Sequence, residues 1–460
     1  MSRLSAPGLP EEAIRHRARV GRAAAFPPPD AYGETLFGAG SAGDTSGAGS
    51  AAAFDDLDAL RLVPPVFMPR RLEKLIELGR EPVYQDVSLE GRIGGFSARM
   101  PVYVCAFGST RVAGGALGTQ LSRQAARLGI PMVIGENLVP VNGFGRLGAR
   151  ADRTSLLDRI RAYTEHAPDG FGGVAVQQCT EDADAEVWNF VYSDPSAQPL
   201  LDSGRLAFEL KVGQGAKPGL GGMTIVDAAE AERLEGQYAL DPVFASDQGT
   251  DSGPAEDGAV TGRVGGPATF LRSSTPGTFT EEILRQQVRL LRNNYPQARI
   301  WVKLHPSRDV AEAAAVAWRA GAHAVTVDGA EGGTGWAPLA FLDQVGLPLA
   351  ECLRRIGRPA GDLLVSGRVW EGGRAVKALA LGATAVGLGR AAVLAVHEDP
   401  ERGLERLAGC LDLELRLLIS ALGKYRAEDV GAEDVWPGPD PAVAAAPDGM
   451  EERTSRGESV

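Results

Sequence analysis

The sequence predicts an α/β fold, a parallel (β/α)8 barrel of the TIM type, and three observations lead there. Eight short apolar runs recur along the chain: Pro101–Gly108, Pro131–Asn137, Gly172–Cys179, Ala207–Gln214, Arg299–His305, Ala324–Gly329, Asp362–Gly367 and Thr384–Gly389. The stretches between them carry helical spacing, as over Glu282–Asn293, Val310–Ala320 and Gly372–Leu381; strand–helix alternation is the pattern of parallel βαβ units. Nearly every run ends in a polar or Gly-rich signature, at the end where such barrels carry their active-site loops. An open doubly wound sheet is the alternative, but its usual GxGxxG after a first strand is missing.

Around the barrel the chain divides further. Residues 1–55 read as a flexible N-terminal segment, because Pro27-Pro28-Pro29 leads into a small-residue stretch with too little apolar surface to order itself. A short helix fits 11–24. Residues 56–435 make the barrel domain, with 56–100 placed to close its bottom. Residues 436–460, rich in Pro, Ala, Asp and Glu, read as a disordered, solvated tail. Residues 221–270 follow the fourth strand as a long polar insertion. A lid or substrate gate is one reading of it; plain disorder of its tip is the other.

Composition narrows the function classes. With 44% hydrophobic and 23% charged residues, the chain reads as a globular protein with a real core. A net charge of -12 argues against nucleic acid or an anionic membrane surface as partner. Cys105, Cys179, Cys352 and Cys410 are far apart, with no CxxC pair. They support neither a disulfide framework nor a metal site, and free thiols suit a reducing cytoplasm. No apolar run is long enough to span a membrane, and the first residues lack the apolar core of a secretory signal.

The strand ends carry the candidate chemistry. Glycines after strands seven (Gly367) and eight (Gly387, Gly389) let backbone N–H groups approach a phosphate, the usual phosphate position in such barrels. Arg368 and Arg390 stand beside them to add charge-assisted bonds. Lys303, on strand five, puts a cation in the barrel mouth. Lys211 and Lys217 flank the Gly-rich KVGQGAKPG turn and suit a substrate carboxylate; Gln214 lies between them. Glu136 after strand two and Glu331 after strand six are candidate proton-handling groups. Each Gly-rich end alone is ordinary turn geometry, and Lys303 alone a snorkelling lysine; the joint pattern at strands five, seven and eight shifts the reading to a site.

Several of these stretches resemble the FMN-binding synthase barrel of the glutamate synthase family. KVGQGAKPGLGG is similar to the family's KxxQGAKPGxGG. The stretch from VKLHPSRDV to AVTVDGAEGGTGWAPL resembles its VKL…ADxITIxGxxGGTGAxPL. CAFGSTR resembles MSFGALS, IGEN resembles NxGEGG, and LGATAVGLGRAAV resembles LGA…FGFGTAP. The register holds across roughly residues 60–435, and QGAKPG with GGTG is a specific combination. The resemblance implies FMN, with its phosphate at strands seven and eight. Carried over by position, Gly367, Arg368, Gly387, Gly389 and Arg390 fall around the phosphate. Phe107, Gly108, Ser109, Gln178 and Lys303 fall around the ring or ribityl chain, and Lys303 is set to stabilise negative charge on the ring's N1/C2 edge. Lys217 falls where the family presents a lysine to its 2-oxo acid. The family reaction it implies is hydride transfer from flavin N5 to an imine carbon.

The departures are equally definite. The family places three cysteines after strand eight for an iron–sulfur cluster; here that region holds only Cys410. The family's GGQLPG reads GGMTIV, with Met223 for the glutamine, and SPPPHHD reads LRSSTPGTF without histidine. Neither a glutaminase nor an NAD(P)H domain is recognisable.

The function expected is therefore an FMN-dependent oxidoreductase acting on a C–N (imine or amine) centre of a small anionic metabolite, with no cluster and no metal. Lys303, Lys217 and Glu136 are its catalytic candidates; Lys211, Gln214, Lys217, Glu331 and Thr334 are its substrate contacts. An electron-donor reductase is an expected partner, and self-association stays open. Two other readings are a glutamate synthase barrel served by separate ammonia- and electron-supplying partners, and a non-catalytic FMN-binding subunit. A 2-hydroxy acid oxidase fits less well, because those barrels carry NHGGR after strand six and this chain has DGAEGG.

Overall fold

Eight parallel strands close into a barrel: β1 Val102–Phe107, β2 Met132–Ile134, β3 Val174–Cys179, β4 Leu206–Lys211, β5 Arg299–Leu304, β6 Ala324–Asp328, β7 Asp362–Ser366 and β8 Ala385–Leu388. Each pairs with the next in sequence, and β8 closes on β1 through Val386↔Val102 to Leu388↔Val104. This computed structural model describes residues 4–25, 56–107, 116–135, 156–180, 185–213, 215, 224–236, 238–244, 269–273, 278–333 and 337–436. The eight runs read from the sequence are the eight barrel strands, each within a few residues of its expected ends.

Strand alternation decides which residues reach the inside. Tyr103, Cys105, Val133, Ala175, Ala207, Trp301, Ala324, Leu364 and Ala385 form one cluster inside the barrel. Their neighbours, such as Val102, Val174, Phe208, Val302 and Val365, pack outward against the helices. Strands buried on both faces need continuous apolar runs, which is why the strands were legible.

Residues 91–98 close the barrel bottom, as expected. Gly91–Ile93 and Phe96–Ala98 form a hairpin whose Ile93, Phe96 and Ala98 join the interior cluster. Trp301 Nε1 donates to Gly94 O (2.9 Å), and Gly94 N donates to Asp362 Oδ2 (2.7 Å). A Cβ on Gly94 would lie 2.3 Å from the Trp301 ring, and φ there is +59°, so the hairpin tip requires glycine.

Two regions differ from expectation. Part of the 221–270 insertion is a three-stranded antiparallel sheet in which Thr269–Ser273 lies between Thr224–Asp227 and Ala239–Phe244; 245–268 lie outside the described residues. The larger correction is at the N-terminus, where the flexible segment expected over 1–55 does not hold for residues 4–25. Helix α1 (Glu11–Val20) buries Ile14 and Ala18 against the late helices α3 (Arg390–Glu398) and α4 (Gly403–Ala421), the second of which packs in turn on α2 (Gly372–Ala380). Full burial of Ile14 alone contributes about 2 kcal/mol. Arg17 makes a two-pronged pair with Glu414 (2.9 and 2.6 Å) and Arg15 pairs with Glu398 (3.0 Å). These arginines anchor the helix. The expected tail at 436–460 lies, beyond Trp436, outside the described residues.

Candidate functional site

A buried polar layer sits above the apolar barrel interior, near the C-terminal ends of the strands. Lys303 Nζ lies 3.0 Å from Asp328 Oδ2, with both side chains buried. Asp328 also accepts from Ser366 Oγ and from Gly215 N (3.3 Å). Glu209, on β4, accepts from Gln177 Nε2 (2.5 Å) and Thr326 Oγ1 (2.7 Å). Lys211 lies beside Lys303 in strand register. The mouth thus holds two lysines and two carboxyl groups in a water-poor setting.

Electrostatics sorts these groups. Burial raises the Glu209 carboxyl above its usual range, against the opposing pull of Lys303 and its two hydrogen-bond donors. Burial works to discharge Lys303, but the Asp328 and Glu209 carboxylates outweigh it and hold the ammonium above its ordinary value. Burial pushes the Cys105 thiol up to about 12, so it stands protonated beside this layer. Lys303 is therefore a fixed cation, and Asp328 is what keeps it fixed.

The QGAKPG and DGAEGG motifs meet here through their backbones. A Cβ on Gly215 would lie 2.1 Å from Gly329 O and 3.1 Å from Gly332 Cα. Their contact demands the glycine: Gly215, 114 residues before Gly329, brings the loop after β4 onto the turn after β6.

The ends of β7 and β8 form the second half of the site. Gly367 has φ +154° and Arg368 +53°, a left-handed backbone uncommon for arginine. Arg368 donates through Nε to Gly8 O (2.8 Å) and through Nη1 to Asp58 Oδ2 (2.8 Å). Arg390, first residue of α3, donates to Pro7 O (2.9 Å) and Glu331 O (2.8 Å). Among the described residues both of its hydrogen bonds go to main-chain carbonyls. Burial lowers its proton affinity, and the Arg368 cation lowers it further against a pull from Glu331. Gly389 caps α3 without a side-chain cap, so the first N–H groups of that helix have no partner within the helix. Two neighbouring guanidiniums at an uncapped helix start match a phosphate-bearing ligand.

The expected site residues fall as follows. Lys211, Lys303, Gly367, Arg368, Gly387, Gly389 and Arg390 all lie on β4, β5, β7 and β8 or their C-terminal ends. Phe107 ends β1, while Gly108, Ser109, Glu136, Gln214, Lys217 and Thr334 lie outside the described residues. Three placements change the expectation. Gly387 is a packing glycine, since a Cβ there would lie 2.3 Å from Cys105 Sγ and 2.7 Å from the Tyr103 ring. Gln178 falls on the strand face alternate to Gln177, and its amide donates to the Gln177 carbonyl (3.0 Å). Glu331 accepts from Leu349 N through both oxygens (3.1 Å each), tying the turn after β6 to the helix Leu349–Ile356. Sequence reading missed Asp328, Glu209, Gln177, Thr326 and Ser366. Alternation within the strands pairs Gln177 with Glu209, but nothing in the sequence shows that Asp328 meets Lys303. Among the described residues no cluster of His, Cys, Asp and Glu could hold a metal ion, and no helix is long and apolar enough to cross a membrane.

Known proteins resemble this chain in part. Residues 276–398 match the conserved region in glutamate synthase, bearing out the resemblance read from the motifs. The chain is 32% identical over 206 residues to the archaeal-type glutamate synthase (NADPH) of Dehalococcoides mccartyi, covering 43% of this chain and 36% of that protein. The Thermotoga maritima protein of the same description is 32% identical over 204 residues, covering 41% of this chain and 34% of its own. A glutamate synthase large subunit-like protein of Rhizobium meliloti is 29% identical over 291 residues, covering 62% of this chain and 59% of its own. The chain thus spans about a third of the length of the archaeal-type relatives it matches. Two solved structures share the fold. A monotopic membrane protein, (S)-mandelate dehydrogenase, has TM-score 0.52 at 17% identity and covers 94% of this chain and 100% of its own. The flavin-binding domain of baker's yeast flavocytochrome b2 has TM-score 0.50 at 15% identity and covers 88% of this chain and 84% of its own.

Proposed function

We propose, from the premise that this chain carries a glutamate synthase-family barrel, that it is an FMN-dependent oxidoreductase acting on a C–N centre of a small anionic metabolite. One observation carries the reading. A pair of arginines at the ends of β7 and β8 and a buried lysine on β5 stand at the same barrel mouth, suited to the two ends of one elongated anionic cofactor. Bound there, FMN supplies hydride exchange at its N5 with an imine or amine carbon.

The chain's own residues do the rest. Arg368, Arg390 and the N–H groups that start α3 hold the phosphate. Lys303, kept charged by Asp328, would stabilise negative charge developing on the ring of a bound flavin. Lys211, with Lys217, Gln214 and Thr334 from the adjoining loops, binds the anionic group of the substrate. Glu136 handles the proton at the substrate nitrogen. Glu331, bound to the Leu349 amide, shapes the turn and leaves substrate contact to its neighbours. No iron–sulfur cluster enters the proposal, since the Cys410 thiol donates to Gly21 O (2.9 Å) and burial raises it to about 11. The four free, buried cysteines suit a cytoplasmic setting.

A second reading, favoured by the identity to archaeal-type glutamate synthases, is a barrel that makes glutamate with separate ammonia- and electron-supplying partners. The purified protein separates the two. It is expected to carry FMN and to be bleached anaerobically by an amine from a panel of primary and secondary amines. Glutamate formation from ammonia and 2-oxoglutarate under a chemical reductant, without bleaching by any other amine, would select the second reading. Colourless protein that cannot be reconstituted with FMN would overturn both.

A further inference from the structure

We infer that the segment Leu4–Pro10 is a working part of the phosphate end of the site: its main-chain carbonyls position the two arginines for a phosphoryl group. This rests on the FMN reading above and deepens it. Pro7 O accepts from Arg390 Nη1 (2.9 Å) and Gly8 O accepts from Arg368 Nε (2.8 Å). Adjacent carbonyls of one turn thus hold guanidiniums from the ends of two different barrel strands.

The choice of acceptor matters. The partners this segment supplies are neutral carbonyls, which orient a guanidinium without cancelling its charge as a carboxylate would. Arg390 bonds to the carbonyls of Pro7 and Glu331, whereas Arg368 also shares its charge with Asp58 Oδ2 (2.8 Å), so Arg390 supplies the larger part of the positive field. Each terminal guanidinium nitrogen has two N–H groups, so Arg390 Nη1 keeps a second beyond the bond to Pro7. An arginine side chain left to itself samples many rotamers, and a clamp removes that freedom before the ligand arrives. The clamp also accounts for the left-handed backbone of Arg368, since the Gly8 and Asp58 contacts hold that side chain from two sides.

The segment is itself built to stay in place. Ala6 and Leu9 are buried, Ala6 N donates to Glu11 Oε1 (2.7 Å), and Leu9 N donates to Ala6 O (3.1 Å) across the turn. Arg15 Nη2 donates to Leu4 O (2.7 Å) while its other terminal nitrogen pairs with Glu398 at the end of α3 (3.0 Å). Gly8 has φ +80°, which a branched side chain strongly resists and asparagine tolerates better.

A clamp of this kind acts on the phosphate and not on the ring, so it distinguishes FMN from riboflavin. Dissociation constants for both flavins are to be measured by fluorescence quenching on flavin-stripped full-length protein. The variants are a deletion of residues 2–9, Gly8→Val and Gly8→Asn, with thermal melts to establish folding. The deletion is expected to weaken FMN by about tenfold or more, in line with the loss of ordered charged hydrogen bonds, and riboflavin by less than about twofold. Gly8→Val should follow the deletion in part, with Gly8→Asn near wild type; Gly8→Val carries the test if the deletion does not fold. Unchanged FMN affinity in the deletion and Gly8→Val, or parallel weakening of FMN and riboflavin, would overturn the clamp. Wild-type protein that binds neither flavin would overturn the cofactor reading itself, and the clamp with it.

Discussion

Lys303 and Asp328 form an ion pair of 3.0 Å inside the barrel mouth, on adjacent strands β5 and β6. Each is 5–6% exposed, so neither has bulk water as an alternative partner. Removing one member leaves the other charged and desolvated, which costs about 3–5 kcal/mol in such settings.

Lys303→Ala is accordingly expected to lower the urea unfolding free energy by several kcal/mol, about 3 or more, and to weaken FMN retention. Turnover should fall about a hundredfold or more, as when a preorganised charge is removed from a developing anion. Asp328→Asn keeps the shape and one acceptor oxygen but not the charge, and should shift the flavin reduction potential while retaining FMN. Unchanged turnover in Lys303→Ala would remove the lysine from the mechanism.

The Glu209 carboxyl gives a pH signature. Burial raises its folded-state pKa above the unfolded value of about 4.3. In the window between those values the folded protein binds more protons than the unfolded chain, so stability falls as pH rises. This contribution is fully present below the unfolded pKa and is lost as pH climbs through the folded one. Glu209→Gln, a neutral mimic that Gln177 can meet by turning its amide, should remove that slope. Urea melts of the two proteins from mildly acidic to neutral pH check this, and parallel profiles would refute it.

Two glycines should behave differently on gaining a methyl group. In Gly387→Ala the obstacle is the Cys105 thiol, 2.3 Å from the new carbon. A destabilisation of about 1–3 kcal/mol is expected, relieved in part by Cys105→Ala in the double variant. In Gly215→Ala the obstacle is Gly329 O at 2.1 Å, a backbone atom that cannot be trimmed. That variant should lose activity more than stability, because it pushes the loop after β4 away from the turn after β6. Equal ratios of activity loss to stability loss in the two variants would refute the distinction.

The thiols should be inert in the native state. All four cysteines are buried, and burial raises Cys105 and Cys352 to about 12 and Cys410 to about 11. A thiol reagent at pH 8 is expected to label none of these three until the protein is unfolded in urea. Rapid labelling of native Cys410 would show that α1 leaves its seat on α4.

How much was legible depended on how local the signal was. The barrel strands were readable because each is an apolar run buried on both faces, and strand five to strand eight all ended within two residues of the expected positions. The sequence placed Gly367, Arg368, Gly389 and Arg390 at the ends of β7 and β8 because a strand-to-helix turn is a local feature. The short helix near 11–24 was legible as a helix, but not that it docks: Glu398 and Glu414, nearly 400 residues later, hold Arg15 and Arg17 against the barrel's last helices. Gln178 was carried over by position, and a motif match fixes position but not facing; the bond from Gln177 to Glu209 on the next strand shows that Gln177 turns inward.

The sequence by itself determined the barrel, its eight strands and the resemblance of its motifs, since hydrophobic period and glycine placement are properties of short stretches. The tertiary structure alone decided that Asp328 holds Lys303, that Gly215 seats against Gly329, and that the carbonyls of Pro7 and Gly8 face Arg390 and Arg368. Those contacts join residues separated by 25 to more than 350 positions. They exist because barrel closure brings strand ends and the chain's first turn to a common mouth, where burial turns ordinary charges into partners.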